Sequence, residues 1–206
     1  MFMIEEKRII GVSGYCLSGK DTLCQILLNK CASMGYSAKR IALADALKQE
    51  IRPSLISKYG IDILDCTPEQ KEIVRPELIE LGRERRLSSE GTFWTNIVSQ
   101  QIQACDEQII IVPDIRYNVY PEDETVWVKK NRGTLVNVSR YSRTEKAGVM
   151  TNNRVYWEGN EEEQKNAPKV KVAADFLIEW ETAPFDILEK SISDISEQII
   201  SHAIRL

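Results

Sequence analysis

The chain has 206 residues, 27 Lys or Arg against 31 Asp or Glu, a formal net charge of −4, and 43% hydrophobic with 28% charged residues. That length suits one α/β domain able to bury roughly 70% of its unfolded surface, and the charge balance excludes both a disordered polyelectrolyte and the concentrated basic face that a nucleic-acid polymer requires. No run reaches the roughly 18 apolar residues of a membrane span, and the start "MFMIEEKRII" lacks the order of a signal peptide, so the expected address is cytoplasmic, with no membrane partner.

In chain order, "RIIGVSG" (8–14) reads as a β-branched strand, followed by a helical pattern over 20–34. "KRIALA" (39–44) is the second strand, and helical patterns cover 45–58, 68–86 and 92–105. "EQIIIVPD" (107–114) is the third strand, before a helix over 121–131. "TLVNVSR" (134–140) and "ADFLIEW" (174–180) complete the strands, and 185–203 is the last helix. Continuous apolar strands alternating with helices predict a parallel sheet covered on both faces. Residues 141–170 show no sustained period, which in a segment of that length points to a functional lid or a disordered loop. Cysteines 16, 24, 31, 66 and 105 form no CxxC pair and the only histidine is His202, so reduced, structural cysteines are expected, with Cys24 and Cys31 facing the core from one helix.

The stretch "IIGVSGYCLSGKDTLCQILL" (9–28) carries the chemistry. Gly14, four residues, Gly19 and Lys20 match GxxxxGK between a strand and a helix, the setting in which backbone N–H groups and a helix N-terminus cradle phosphates. Gly14, Ser18, Gly19, Lys20, Asp21 and Thr22 are therefore the candidate nucleotide-binding residues, with ATP and Mg2+ as cofactors. Where Ser or Thr usually binds magnesium stands Asp21. Its carboxylate is a hard ligand suited to that ion, Thr22 is the alternative, and a plain helix-start role for Asp21 stays open. The expected fold is a three-layer P-loop NTPase fold, α/β, with a five-stranded parallel sheet and a small lid insertion. Its core spans about 7–140 and 171–206, and the lid about 141–170.

Asp114 and Arg116, in "IIIVPDIRY", leave the third strand at its carboxyl end, where open parallel sheets bind ligands. Asp114 suits magnesium through water, Arg116 a phosphate clamp, and a structural salt bridge is the alternative for each.

"SGKDT" (18–22) resembles the loop of bacteriophage-type deoxynucleoside monophosphate kinases, and "ALADALKQE" (42–50), "RPELIELGRERR" with "FWTNIV" (75–98) and "IIIVPDIRYNVY" (109–120) fit the same group in the same order. The resemblance covers about 8–140. It implies transfer of the ATP γ-phosphate to a deoxynucleoside monophosphate, with small-molecule nucleotide substrates and an acceptor region over about 45–96. It also implies that Asp45 and Lys48 lie on the acceptor rim, although Asp45 equally suits a helix cap. Where the family reads Leu-Gly-Thr-Glu, this chain has Arg83 for the threonine. Arg86 is the first choice for an acceptor-phosphate ligand and Arg83 the second, while a solvated basic helix end is the alternative. Trp94 reads as a core residue or as a base-stacking platform. Arg140 and Arg143 stand where the lid of adenylate-kinase-like enzymes opens, with Arg154 as a third lid cation. Lys20, Arg116, Arg140 and Arg143 are the candidate catalytic residues, for phosphoryl transfer needs positioning and charge neutralisation. A P-loop kinase for another metabolite, such as a phosphomevalonate or dephospho-coenzyme A kinase, and an inactive nucleotide-binding module are the alternatives. A homodimer is compatible with the sequence.

Overall fold

Strands β1 (Arg8–Ser13), β2 (Ala38–Arg40), β3 (Ile109–Ile115), β4 (Thr134–Lys146), β5 (Val149–Tyr156) and β6 (Phe176–Glu181) form one sheet in the computed structural model, which describes residues 7–146, 149–159 and 161–206. β1 is central and parallel to β3 on one side and β4 on the other. β2 lies outside β3 and β6 outside β4, both parallel, giving the spatial order β2-β3-β1-β4-β6. To this expected five-stranded layer the structure adds an antiparallel arm: β5 pairs with the far half of β4, Tyr141 opposite Tyr156 and Arg143 opposite Arg154.

Successive side chains on a strand point to opposite faces, and here both faces are apolar. Ile10, Val12, Ile109 and Ile111 pack under α1 (Lys20–Ser33), α7 (Phe185–Ser191) and α8 (Ser193–Arg205), against residues such as Leu23, Leu27, Leu188 and Ile199. Ile9, Ile110 and Val112 pack under α2 (Leu43–Tyr59), α4 (Phe93–Gln103) and α5 (Glu124–Lys130), against Leu43, Val98 and Trp127. α3 (Pro68–Ser88) begins in a capping box between Thr67 and Gln70 and closes a smaller cluster of Ile51, Leu55, Ile61, Ile63 and Val74. The five cysteines are free, and Cys24 and Cys31 are buried on the core face of α1.

The structure shifts some boundaries and selects among the open readings. The second strand ends at Arg40, and α2 starts at Leu43 with Ala42 in the cap position, so Asp45 sits inside the helix and caps nothing. The stretch 141–170 is ordered as the outer part of β4, β5 and most of α6 (Glu161–Val172). Its strand period is illegible because apolar and polar residues do not alternate along "SRTEKAGVMTNNRVY" (142–156). Residues 147, 148 and 160 of that lid region, like residues 1–6 at the start, lie outside the described residues. Finally, Trp94 is 5% exposed and packs edge-on against Phe93 within the core, with ring centroids 4.8 Å apart, so it offers no open face to a base.

Candidate active site

The carboxyl ends of β1 and β3 open beside each other at the point where the chain order reverses, the place where open α/β sheets bind ligands. From β1 the chain turns through Gly14–Lys20 into α1. Gly14 has φ +144°, and a Cβ there would fall 2.4 Å from the Val138 carbonyl oxygen and 2.6 Å from Ser18 Oγ. Gly19, in the cap position of α1, has φ +96°, and its Cβ would strike the Trp180 ring at 2.5 Å. Only glycine meets both demands without strain. No side chain caps α1, so its first N–H groups are left for an anion. Ser18 Oγ is buried with no hydrogen-bond partner, a second orphan at the same turn.

Lys20 is 8% exposed. Its ammonium donates to the carbonyls of Gly14 (3.1 Å) and Tyr15 (2.9 Å) and stands 3.9 Å from Asp114. Burial lowers its pKa, and Asp114 opposes that shift.

Asp114 occupies this position because the ladder breaks there. Val12 pairs with Pro113 but Ser13 with Ile115, so Asp114 is the unpaired residue of a bulge, with φ +68°. Bulges re-aim side chains next to sites, and a non-glycine residue held at positive φ is a form of stored strain found at such places. Its carboxylate lies between Lys20 and Arg116, which is 3.4 Å away.

Arg116 is held by the first residues of α5. Glu124, 4% exposed, accepts from the N–H groups of Arg116 (2.6 Å) and Tyr117 (3.2 Å). Asp123, fully buried, accepts from Val119 and Tyr120 N–H and from the Arg86 guanidinium at 2.5 Å. Arg86 also lies 3.6 Å over the Tyr117 ring. The guanidinium chosen from the sequence as an acceptor-phosphate ligand is thus committed to a buried carboxylate and an aromatic face. Through Asp123 it ties down the 117–120 loop, while Arg83 is exposed.

Burial pushes the Glu124 carboxyl up to about 8, against the two N–H donors and the neighbouring arginines that pull it down. A folded value above the unfolded one of 4.5 means that the folded chain holds this proton more tightly. The stabilisation is therefore complete in acid and is lost as pH rises towards 8. The urea midpoint is expected to fall between pH 5 and pH 8, and Glu124→Gln, which still accepts from both N–H groups, is expected to flatten that decline. An unchanged slope in the variant would assign the pH dependence elsewhere.

The remaining candidates divide into two groups. Asp21 is turned outward and pairs with Arg40 (3.3 Å), which also pairs with Asp45 (2.9 Å), and Asp45 with Lys48 (3.2 Å). These four form a charged rim that joins the start of α1 to β2 and α2. Arg140, Thr22, Gly19, Trp180 and Thr182 line a cavity of about 130 Å³ on the other flank of the loop. Arg143 and Arg154 are further out on the arm, paired with Glu181 (3.1 Å) and Glu179 (3.5 Å). Among the described residues no group of three or more His, Cys, Asp or Glu could enclose a metal ion. That still suits magnesium, which keeps several waters and takes one or two carboxylates. Asp114 fits such a role, while the exposed Asp21 carboxylate is paired with Arg40.

Sequence reasoning missed Asp123, Glu124, Arg40 and Glu163. The first two sit in "PEDE" (121–124), which reads as an ordinary helix start, and Glu163 lies in an acidic run with no motif around it.

Among solved structures, the fold is similar to the APS kinase of Mycobacterium tuberculosis (13% identity, 93% of this chain and 98% of that one, TM-score 0.40). It is also similar to shikimate kinase from Acinetobacter baumannii (13% identity, 93% of each chain, TM-score 0.40). Likeness at that level is too loose to bear on function. No curated protein sequence matches the chain. The phosphomevalonate kinase family model matches residues 12–134, from the end of β1 through the phosphate loop and the Asp114 bulge to the first residue of β4. A match over more than half the sequence, which takes in the phosphate loop near its start and the Asp114 bulge further on, makes this chain a member of the phosphomevalonate kinase family and an ATP-dependent phosphotransferase of the P-loop kind.

Proposed function

We propose that the chain transfers the γ-phosphoryl group of ATP to the phosphate of a small phosphomonoester, giving a diphosphate, and that the acceptor is a deoxynucleoside 5′-monophosphate. The observation that carries the reading is the mouth itself: Lys20 and Arg116 flank Asp114 directly beside a glycine-shaped anion loop. Two cations at a site of this kind neutralise charge on the transferring group, which is most of what phosphoryl transfer asks of a protein. A phosphate acceptor is already an ionised nucleophile, so no general base is needed. The order of the "SGKDT", "ALADALKQE", "LGRERR" and "VPDIRY" stretches supports a nucleotide acceptor.

In this reading the loop amides, Ser18 and Lys20 bind the donor phosphates. Magnesium, when bound, supplies further charge neutralisation, with Asp114 holding its water shell. Arg116 reaches the transferring group, and Arg140 lies over the donor on the flank of the 130 Å³ cavity. Arg143 and Arg154 leave Glu181 and Glu179 only if the arm folds inward, as lids do to exclude water. The charged rim of Arg40, Asp45 and Lys48 faces the acceptor side. Arg86 acts through the 117–120 loop it anchors. Reduced to one step, the acceptor oxygen forms the new P–O bond as the bond to the ADP oxygen breaks.

A second reading has its own support. The family match favours phosphomevalonate as the acceptor, and the burial of Trp94 removes the aromatic platform a base would have used. ADP release measured with each deoxynucleoside and ribonucleoside monophosphate and with phosphomevalonate separates the two. The nucleotide reading expects one dNMP to exceed phosphomevalonate at least tenfold in kcat/KM. The reverse ranking overturns it in favour of the second, and ATP bound without acceleration by any acceptor returns the chain to a binding module.

A further inference from the structure

The phosphate loop holds an anion of its own. Glu163, on the first turn of α6, is almost fully buried, and both its carboxylate oxygens accept from the Cys16 N–H, at 3.1 and 3.2 Å. Cys16 is the third residue of the Gly14–Lys20 loop, where the amides point at the phosphoryl end of a bound nucleotide. The same carboxylate stands 3.5 Å from Arg116, and its field raises the proton affinity of Lys20. One carboxylate thus meets the loop amide and the arginine beside it at the mouth, and adds to the field at the lysine. The approach of α6 is close: a Cβ on Gly159 would fall 2.5 Å from Glu163 Oε2 and 2.6 Å from Tyr15 Cδ1. Tyr15, Gly159 and Glu163 are stacked, so the carboxylate cannot drift aside while α6 stays in place.

We propose that Glu163 is an internal competitor for the phosphate site: its carboxylate occupies the Cys16 amide and Arg116 in the empty enzyme, and the triphosphate of ATP must expel it to bind. The inference rests on the phosphate-loop reading above. Two anions cannot share one amide and one guanidinium at such distances without strong repulsion. Expulsion transfers Arg116 from Glu163 to the incoming phosphate and frees α6, the segment that follows the β4–β5 arm, to move. Binding is then coupled to release of the lid region, and part of the nucleotide's affinity is used in that displacement. The device guards the loop against weaker anions, since inorganic phosphate has fewer contacts with which to displace the carboxylate.

The test compares the wild-type chain with Glu163→Gln and, as a control on the same helix, the exposed Glu161→Gln. ATP affinity is measured by calorimetry, and amide exchange is followed over 163–172 with and without ATP. Glu163→Gln keeps the shape and an acceptor oxygen but removes the charge, so ATP and inorganic phosphate are both expected to bind about tenfold tighter, an amount in keeping with the loss of one charge-assisted competitor. Glu161→Gln is expected to bind as wild type does. In the wild-type chain, ATP is expected to protect the loop amides while speeding exchange in α6. Equal or weaker ATP binding by Glu163→Gln, with a wild-type melting temperature, overturns the proposal, as does slower α6 exchange with ATP. If Lys20→Ala binds ATP as tightly as wild type, the phosphate-loop reading itself falls. If Lys20→Ala weakens ATP while Glu163→Gln does not strengthen it, only the competitor is lost.

Discussion

Lys20→Ala is expected to lower kcat/KM by about 10³-fold, in line with the removal of one pre-positioned charge from a water-poor transfer site. The ammonium is held at the loop by the Gly14 and Tyr15 carbonyls and lies 3.9 Å from Asp114, so its charge is already placed at the mouth. Stability should change little. The lysine is buried, and what the variant loses in hydrogen bonds to two neutral carbonyls it regains by no longer desolvating a charge. The melting temperature is expected to stay within about 3 °C of wild type. Single-turnover transfer from labelled ATP, with the melting curve recorded on the same sample, checks both halves. A loss of less than tenfold would remove Lys20 from the transfer step.

Arg86→Ala is expected to have the opposite profile, unfolding the protein before it affects chemistry. Asp123 is fully buried, and Arg86 at 2.5 Å is the cation that compensates it. Removing one partner of such a pair strands the other charge in a medium that solvates it poorly, at a cost of about 3–5 kcal/mol. For a domain of this size that lowers the melting temperature by about 10 °C. Arg86→Lys should recover only part of the loss, since an ammonium neither stacks over Tyr117 as a guanidinium does nor presents a planar fork. Adding Asp123→Asn to Arg86→Ala should restore some stability, because the stranded charge is gone while an oxygen remains for the Val119 and Tyr120 amides. If Arg86→Ala melts with wild type and loses only acceptor affinity, Arg86 contacts the acceptor directly, as its position in "LGRERR" first suggested.

The contrast between these two residues marks the limit of reading motifs. Both are basic residues in a recognisable stretch, and the sequence assigns both to phosphates. Lys20 stands at the loop as expected because its two hydrogen-bond partners lie within six positions of it, and local backbone geometry brings them together. Arg86 does not, because Asp123 is 37 positions away and meets it only when α3 and α5 dock. Asp21 shows the same dependence, since Arg40 comes from the neighbouring strand. Trp94 is drawn into the core by α4 packing on the sheet, a contact that no neighbouring residue announces.

The sequence by itself determined the parallel α/β layers, the strand-loop-helix phosphate cradle and the placement of Asp114 and Arg116 at a strand end. Each depends on periodicity or on contacts between near neighbours, which a linear chain records. Only the tertiary structure decided that Asp114 bulges between two cations, that Arg86 anchors a loop, that the 141–170 segment is a hairpin followed by a helix, and that Glu163 reaches the loop from 147 positions away. Those are pairings of charge across long separations. Their energies arise when packing removes water from both partners at once, and no residue carries a mark of that until the fold brings them together.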